Sequence, residues 1–371
     1  MTSKTRICVI FACLYLNIFL QPAICQAWED FPKDRGNNYL DSYSDDDYQA
    51  ADSSDDSADD FFKGGYYEDD ATDYSAYSDD TYLSDGDDGE STNSDQSFAE
   101  VRPPMLEPGA PIKLEEKSIR LGRIPYRSLR EMMTQAVPLL RLLQKKSGAK
   151  DVRLVSNRND YASVIDALAR GNIDFAWVGP AAYLSRRDKD HLMPVAKAKF
   201  GAATAYRGVF IAPAKGKVQG LEDLKGARIG FVDPESTSGY IYPLYLLLQL
   251  GINPFRDSQV FFLKNHDNVL RAVLAGKIDA GVCLDDTLNS IKDKTVLDKI
   301  IVLAKTNEIP SDVIVCRQDC PLNLREKFLE ALLSVKANEI PGSPTFLQAF
   351  DQDFVEVEGI IKFIEAKKQG K

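Results

Sequence analysis

Two stretches of the chain, DYASVIDALARGNIDFAWVG (160–179) and HDNVLRAVLAGKIDAGVC (266–283), follow one plan. Each opens on polar residues and runs through a segment with apolar residues at helical spacing. Each then breaks at a glycine, Gly171 or Gly276, and passes straight into an apolar, strand-like run. Glycine ends a helix readily because it enters the left-handed region without a Cβ clash. A helix feeding a strand through so short a turn needs a sheet to receive it. Two copies about a hundred residues apart predict two α/β lobes with a cleft between them.

The rest of the region from Lys117 agrees. Strand-like runs occur at 119–124, 152–156, 173–179, 193–198, 207–213, 227–232, 260–263, 278–283 and 299–305. Helix-like segments occur at 128–148, 161–171, 243–251 and 268–277. This alternation predicts an α/β fold with mostly parallel sheets, in which ligands bind outside the carboxyl ends of strands.

One strand end draws the eye. ARIGFV is followed by DPESTSGYIYP, which brings Ser236, Thr237, Ser238 and Gly239 to the start of a helix. Hydroxyls there can donate hydrogen bonds, and so can the orphan backbone N–H groups of a helix start, whose dipole favours negative charge. Gly239 would admit close backbone approach, and Pro243 suits a first helical turn. The stretch reads equally as an oxyanion cradle or as a plain N-cap. His266 lies at another strand end, before a helix, where an exposed imidazole would donate to an anion, better when protonated. Tyr183, after the turn at Gly179–Pro180, and Tyr161, opening a helix, are candidates to face the cleft or to pack. A serine-hydrolase reading would join Ser236 or Ser238 to His266 and Asp267, but no G-x-S-x-G elbow surrounds either serine.

The ends of the chain differ from its middle. Residues 1–27 carry Lys4 and Arg6, an apolar run and a small-x-small Cys25-Gln26-Ala27, the pattern of a secretory signal. Residues 28–100 hold 24 acidic and 3 basic residues, net −21, with no sustained apolar period. Such a segment is expected to be a disordered acidic arm. Residues 101–116, with Pro103, Pro104, Pro108 and Pro111, read as a linker. Within a whole-chain charge of −11, the remainder from 101 carries +8, which suits an anionic ligand.

Three cysteines remain beyond the signal. Cys316 and Cys320 can bridge in an oxidising compartment or stay as thiols, and Cys283 stands apart. Two histidines and no paired CxxC argue against a zinc site. No Walker loop, dinucleotide fingerprint or HExxH occurs, and basic residues are not interleaved with aromatics as in nucleic-acid binders. No cofactor is expected.

Taken in order, NDYASVIDALARGNIDFAWVGPAAYL, AYRGVFIAPA, LEDLKGARIGFVDPESTSGYIYP, HDNVLRAVLAGKIDAGVC and EIPSDVIVCR resemble the phosphate/phosphite/phosphonate-binding proteins of ABC importers, over about 117–340. The resemblance implies a two-lobed type II periplasmic-binding-protein fold. Lobe 1 would take about 117–205 and 309–371, and lobe 2 about 206–308, with hinges near 203–208 and 305–310. It also implies that Ser236, Thr237, Ser238 and His266 hold a phosphorus oxyanion, with Tyr183 and Tyr161 on the opposite lobe. Asp285, Asp286 and Asp312 would lie where some members keep acidic groups for a ligand amine. The opening RIPYRSLREMM (123–133) matches only loosely, which leaves Tyr126 unassigned.

The function implied is an exported, monomeric solute-binding component that is not an enzyme, periplasmic or secreted. It would serve separate ABC permease and ATPase subunits. The alternative is a surface or structural protein that keeps the binding fold, with the acidic arm binding metal ions or a mineral surface.

Overall fold

The computed structural model describes residues 105–156 and 160–368. The signal-like segment, the acidic arm and residues 101–104 of the linker lie outside the described residues.

A first sheet contains β1 (Ser118–Arg123), β2 (Asp151–Val155), β3 (Phe175–Val178), β4 (Leu192–Lys199), β12 (Val313–Arg317) and β13 (Thr345–Gln348), in the order β13-β4-β12-β3-β1-β2. A second contains β6 (Gly208–Pro213), β7 (Arg228–Phe231), β8 (Gln259–Phe262), β9 (Ala280–Leu284) and β10 (Ile300–Lys305), in the order β10-β6-β9-β7-β8. In each sheet one strand runs parallel to two neighbours: β1 beside β2 and β3, and β7 beside β8 and β9. The chain crosses between the sheets twice, through β5 (Ala205–Tyr206) and β11 (Ile309–Pro310), which pair antiparallel as a two-stranded ribbon.

The principal helices are α1 (Leu129–Ser147), α2 (Tyr161–Ala169), α3 (Pro180–Arg186), α4 (Tyr242–Gln249), α5 (His266–Leu274), α6 (Asp285–Asn289), α7 (Leu322–Leu333) and α8 (Val355–Lys368). The duplicated plan is α2–β3 in one sheet and α5–β9 in the other. Its likeness extends to polar detail. The Arg120 amide donates to Asp174 Oδ2 at 2.7 Å and its guanidinium to the Gly171 carbonyl at 3.0 Å. The Arg228 amide donates to Asp279 Oδ2 at 2.8 Å and its guanidinium to the Gly276 carbonyl at 3.0 Å. In both units, therefore, an arginine on the neighbouring strand fastens the helix–strand turn. Gly171 and Gly276 hold φ of +75° and +66°, as these turns require.

The equivalence brings Tyr161 and His266 to the same place in their units, each the first residue of a helix. The preceding residue caps that helix: Asp160 accepts from the Ser163 amide, and Asn265 from the Asn268 amide.

One buried cluster lies against α1 and α7, with Phe175 stacked on Phe328 at 4.3 Å. Another lies around β6, β7 and α4. Helix α8, counted with the first lobe on sequence, contributes Val357, Ile360 and Ile364 to this second cluster and sets Phe363 edge-on to Tyr245. Its apolar stripe at i, i+3 and i+7 reaches the other sheet's helix. Cys316 and Cys320 are buried free thiols, Cys320 Sγ lying 3.9 Å from the Pro321 carbonyl it donates to, and Cys283 is buried apart from them.

Candidate ligand-binding cleft

A cavity of about 590 Å³ opens where the carboxyl ends of the strands face one another. Arg123, Tyr126, Tyr161, Trp177 and Asp312 line it from the first sheet. Ser236, Thr237, Ser238, His266, Asp285 and Asp286 line it from the second, and Tyr206 from the crossover.

The serine-rich turn is built by its own backbone. Beyond β7, Asp233 accepts from the Glu235 amide through Oδ1 and from the Ser236 amide through its carbonyl. The Ser236 carbonyl then accepts from both Tyr240 and Ile241 amides, at 3.1 and 3.0 Å, which opens a π-helical turn over Thr237–Ile241 before α4. Helix geometry gives the Thr237 and Ser238 amides no internal acceptor. Ser236, Thr237 and Ser238 are all buried along the cleft.

Gly239 does not approach the ligand space. Its amide donates to Ser236 Oγ at 3.0 Å, and a Cβ there would fall 2.4 Å from Val232 Cγ2. Glycine is needed for packing behind the turn, which corrects the expectation of a backbone contact.

Several bonds hold the two lobes together at this point. Thr237 Oγ1 accepts from the Ala181 amide at 2.9 Å, and the Tyr206 phenol donates to Asp312 at 3.0 Å. The Tyr161 amide donates to Asp233 Oδ2 at 3.4 Å. The His266 amide donates to the Tyr126 carbonyl at 3.1 Å, and the Ser128 amide to Asp267 Oδ2 at 3.1 Å. The lobes are thus closed on each other around the cavity.

His266 differs from its expected state. It is buried, and its Nδ1 accepts from the Leu284 amide at 2.9 Å. Burial, helped by the Arg127 charge, pushes its pKa down to about 3. The ring is therefore neutral, with its hydrogen on Nε2, which leaves that N–H as an uncharged donor. A proton on Nε2 also leaves the ring unable to take one from a serine, and Asp267 bonds Ser128 rather than the imidazole. The hydrolase triad has no geometric basis here.

Tyr183 is not in the cleft. It is buried at the far side of α3, where its phenol donates to Asp351 at 2.5 Å and its ring meets Phe354 edge-on. The helix that starts at Pro180 carries its fourth residue away from the opening. Tyr161 does line the cleft, and burial raises its phenol's pKa well above the ordinary range, so it stays a donor. Asp312 is at the cleft wall with its pKa raised by burial. Asp286 pairs with Arg127 at 3.1 Å, and Asp285 accepts from the Asp286 amide at 2.9 Å.

Sequence reasoning missed Arg123, Trp177, Tyr206 and Arg127. Arg123 was read only as part of an apolar strand. The available signal was an arginine at the carboxyl end of such a strand, the end where ligands sit.

A family model for the phosphonate periplasmic substrate-binding proteins of ABC transporters matches residues 121–369. The phosphate-import protein PhnD of Mycolicibacterium smegmatis is 31% identical over 194 residues, which is 49% of this chain and 59% of that protein. The phosphonates-binding periplasmic protein of Escherichia coli is 24% identical over 227 residues, 59% of this chain and 67% of that protein. The match to the mycobacterial relative thus spans about three-fifths of its length.

Two solved structures share the fold. A binding-protein component of an ABC phosphonate transporter from Pseudomonas aeruginosa superimposes with a TM-score of 0.62 at 21% identity, covering 69% of this chain and 89% of that one. PhnD1 of Prochlorococcus marinus, solved with methylphosphonate, gives 0.60 at 17% identity, covering 67% and 98%. The architecture is that of a type II periplasmic binding protein, as the sequence resemblance implied.

Proposed function

The chain belongs to the phosphonate-binding family of ABC-transporter periplasmic substrate-binding proteins, and from that premise we propose that it is an exported solute-binding component of an importer. It holds a phosphonate, phosphite or phosphate in the interlobe cleft and releases it unchanged. The observation that carries this reading is the convergence of the Ser236–Thr237–Ser238 turn and His266 on one cavity.

The binding chemistry follows from those groups. The Thr237 and Ser238 amides, the serine hydroxyls and the His266 Nε2–H are fixed donors in a recessed cleft. Hydrogen bonds to an ionised acceptor are roughly twice as strong as neutral ones, and donors already held in place lose little entropy on binding. Tyr161 adds a donor from the opposite lobe, so an anion bound between them favours closure. The crossover ribbon β5–β11 is where the chain would flex as the lobes part. The relatives' names, phosphate import for one and phosphonate binding for another, support the same ligand class.

In this role the protein works as a periplasmic monomer and delivers its ligand to separate permease and ATPase subunits. Mass spectrometry of the small molecules carried through native purification tests the reading directly. A phosphorus oxyanion released on denaturation is expected. A ligand without a tetrahedral oxyanion would reject it.

A further inference from the structure

Beyond the two strands of the ribbon, the chain passes between the lobes once more, as a helix. After β13 the segment Ala349–Phe354 is fixed to lobe 1. The Ala349 amide donates to the Val195 carbonyl at 3.2 Å. Asp351 accepts from the Tyr183 phenol at 2.5 Å, and Asp353 pairs with Lys197 at 2.5 Å. Phe354 is buried edge-on to Tyr183. The next residue starts α8, whose apolar face lies in the cluster of lobe 2.

The sequence VEVEGIIKFIEAKK gives this helix two gripping sides. Val357, Ile360 and Ile364 recur at i, i+3 and i+7 and share one face. All three are buried in one cluster with Leu244 and Leu247 of α4. Half-buried Phe363 meets Tyr245 of α4 at 5.1 Å between ring centroids. Glu358 follows Val357, so it points about 100° around the helix from it. There it accepts from the Arg187 guanidinium twice, at 3.3 and 3.4 Å. Arg187 directly follows α3 in lobe 1 and is itself buried. Helix α8 thus touches α3 of one lobe and α4 of the other.

Parting the lobes about the ribbon has to break one of these attachments. Lifting α8 from α4 returns an apolar face to water. Tearing Glu358 from Arg187 strips a buried guanidinium of a carboxylate, and breaking a buried pair is costly. We propose that α8 is an interlobe strap, fastened to lobe 1 through Asp351 and Glu358 and gripping α4 of lobe 2 through its apolar face, which holds the lobes closed. The inference concerns the two-lobed fold and holds whichever anion the cleft takes.

Residue-resolved hydrogen exchange on the full chain, without added ligand, reads this at two amides that bond across the lobes: His266 to the Tyr126 carbonyl and Ser128 to Asp267. Neither bond lies in the apolar cluster that α8 enters. In the intact chain both amides should be protected. The double variant Ile360→Ala with Ile364→Ala loosens the grip on α4, and both amides should exchange at least fivefold faster. Phe363→Ala, at a half-buried position, should give at least threefold and decides the matter alone should the double variant not fold. Amides inside β1 and β7 should change less than twofold in each, which separates lobe opening from general loss of stability. Unprotected cross-lobe amides in the intact chain, unchanged exchange there in the folded variants, or equal acceleration in β1 and β7 would overturn the strap.

Discussion

The imidazole of His266 is kept neutral by its surroundings: Nδ1 is taken by the Leu284 amide, the ring is buried, and Arg127 adds a repelling charge. Its pKa falls to about 3, against about 6.5 for a free histidine. Between those values the unfolded chain binds a proton that the folded chain does not. The stability this residue contributes is therefore complete above about pH 6.5 and is lost as pH falls toward 3. Across pH 5–8 the folded ring should show no titration. Nitrogen NMR is expected to report the neutral, Nε2-protonated tautomer throughout that range. A titration midpoint near 6.5 would contradict the buried donor. None of this was legible in the sequence, which places a histidine before a helix but does not reveal its partner eighteen residues on. Tyr183 failed for a related reason: an aromatic after a glycine–proline turn faces outward or inward according to the helix phase, which only packing against Phe354 settles.

The segment from Val232 to Ile241 is the element on which the site depends. Its hydroxyl-rich composition was readable, and so was its place at a strand's carboxyl end. The π-helical widening was not, because it arises from two amides sharing the Ser236 carbonyl. Gly239 shows how tightly the turn is packed. An added Cβ would sit 2.4 Å from Val232 Cγ2 and 2.8 Å from Ser236 Oγ. Gly239→Ala should therefore destabilise the protein by about 1–3 kcal/mol, the usual range for forced overpacking. Chemical denaturation checks this, and unchanged stability would mean the turn can shift. Regular elements were easier. The strand-like runs at 119–124 and 207–213 and the helical periods after Tyr161 and His266 lie within one to three residues of their observed spans. Strands β12 and β13 were not singled out, since VIVCR and TFLQ are short and lack alternation.

The described residues form two sheets built on one repeated unit, joined by a ribbon around a cavity whose walls differ in chemistry. One wall presents neutral, hydroxyl and amide donors. The other presents Arg123 stacked on Trp177. Duplication explains why the fold was legible: the helix–glycine–strand plan appears twice in the sequence, and the arginine–aspartate fastening appears twice in the structure. The opposite wall was less legible because its residues come from separated segments of ordinary composition. Binding in this cleft requires the donor turn to grip a tetrahedral anion. Calorimetric titration of methylphosphonate and phosphate into the full chain, beside the double variant Ser236→Ala with Thr237→Ala, tests that most directly. The intact protein should bind at least one of the two, and the double variant at least tenfold more weakly. Equal affinity in both proteins would show that the anion, if held at all, is held elsewhere.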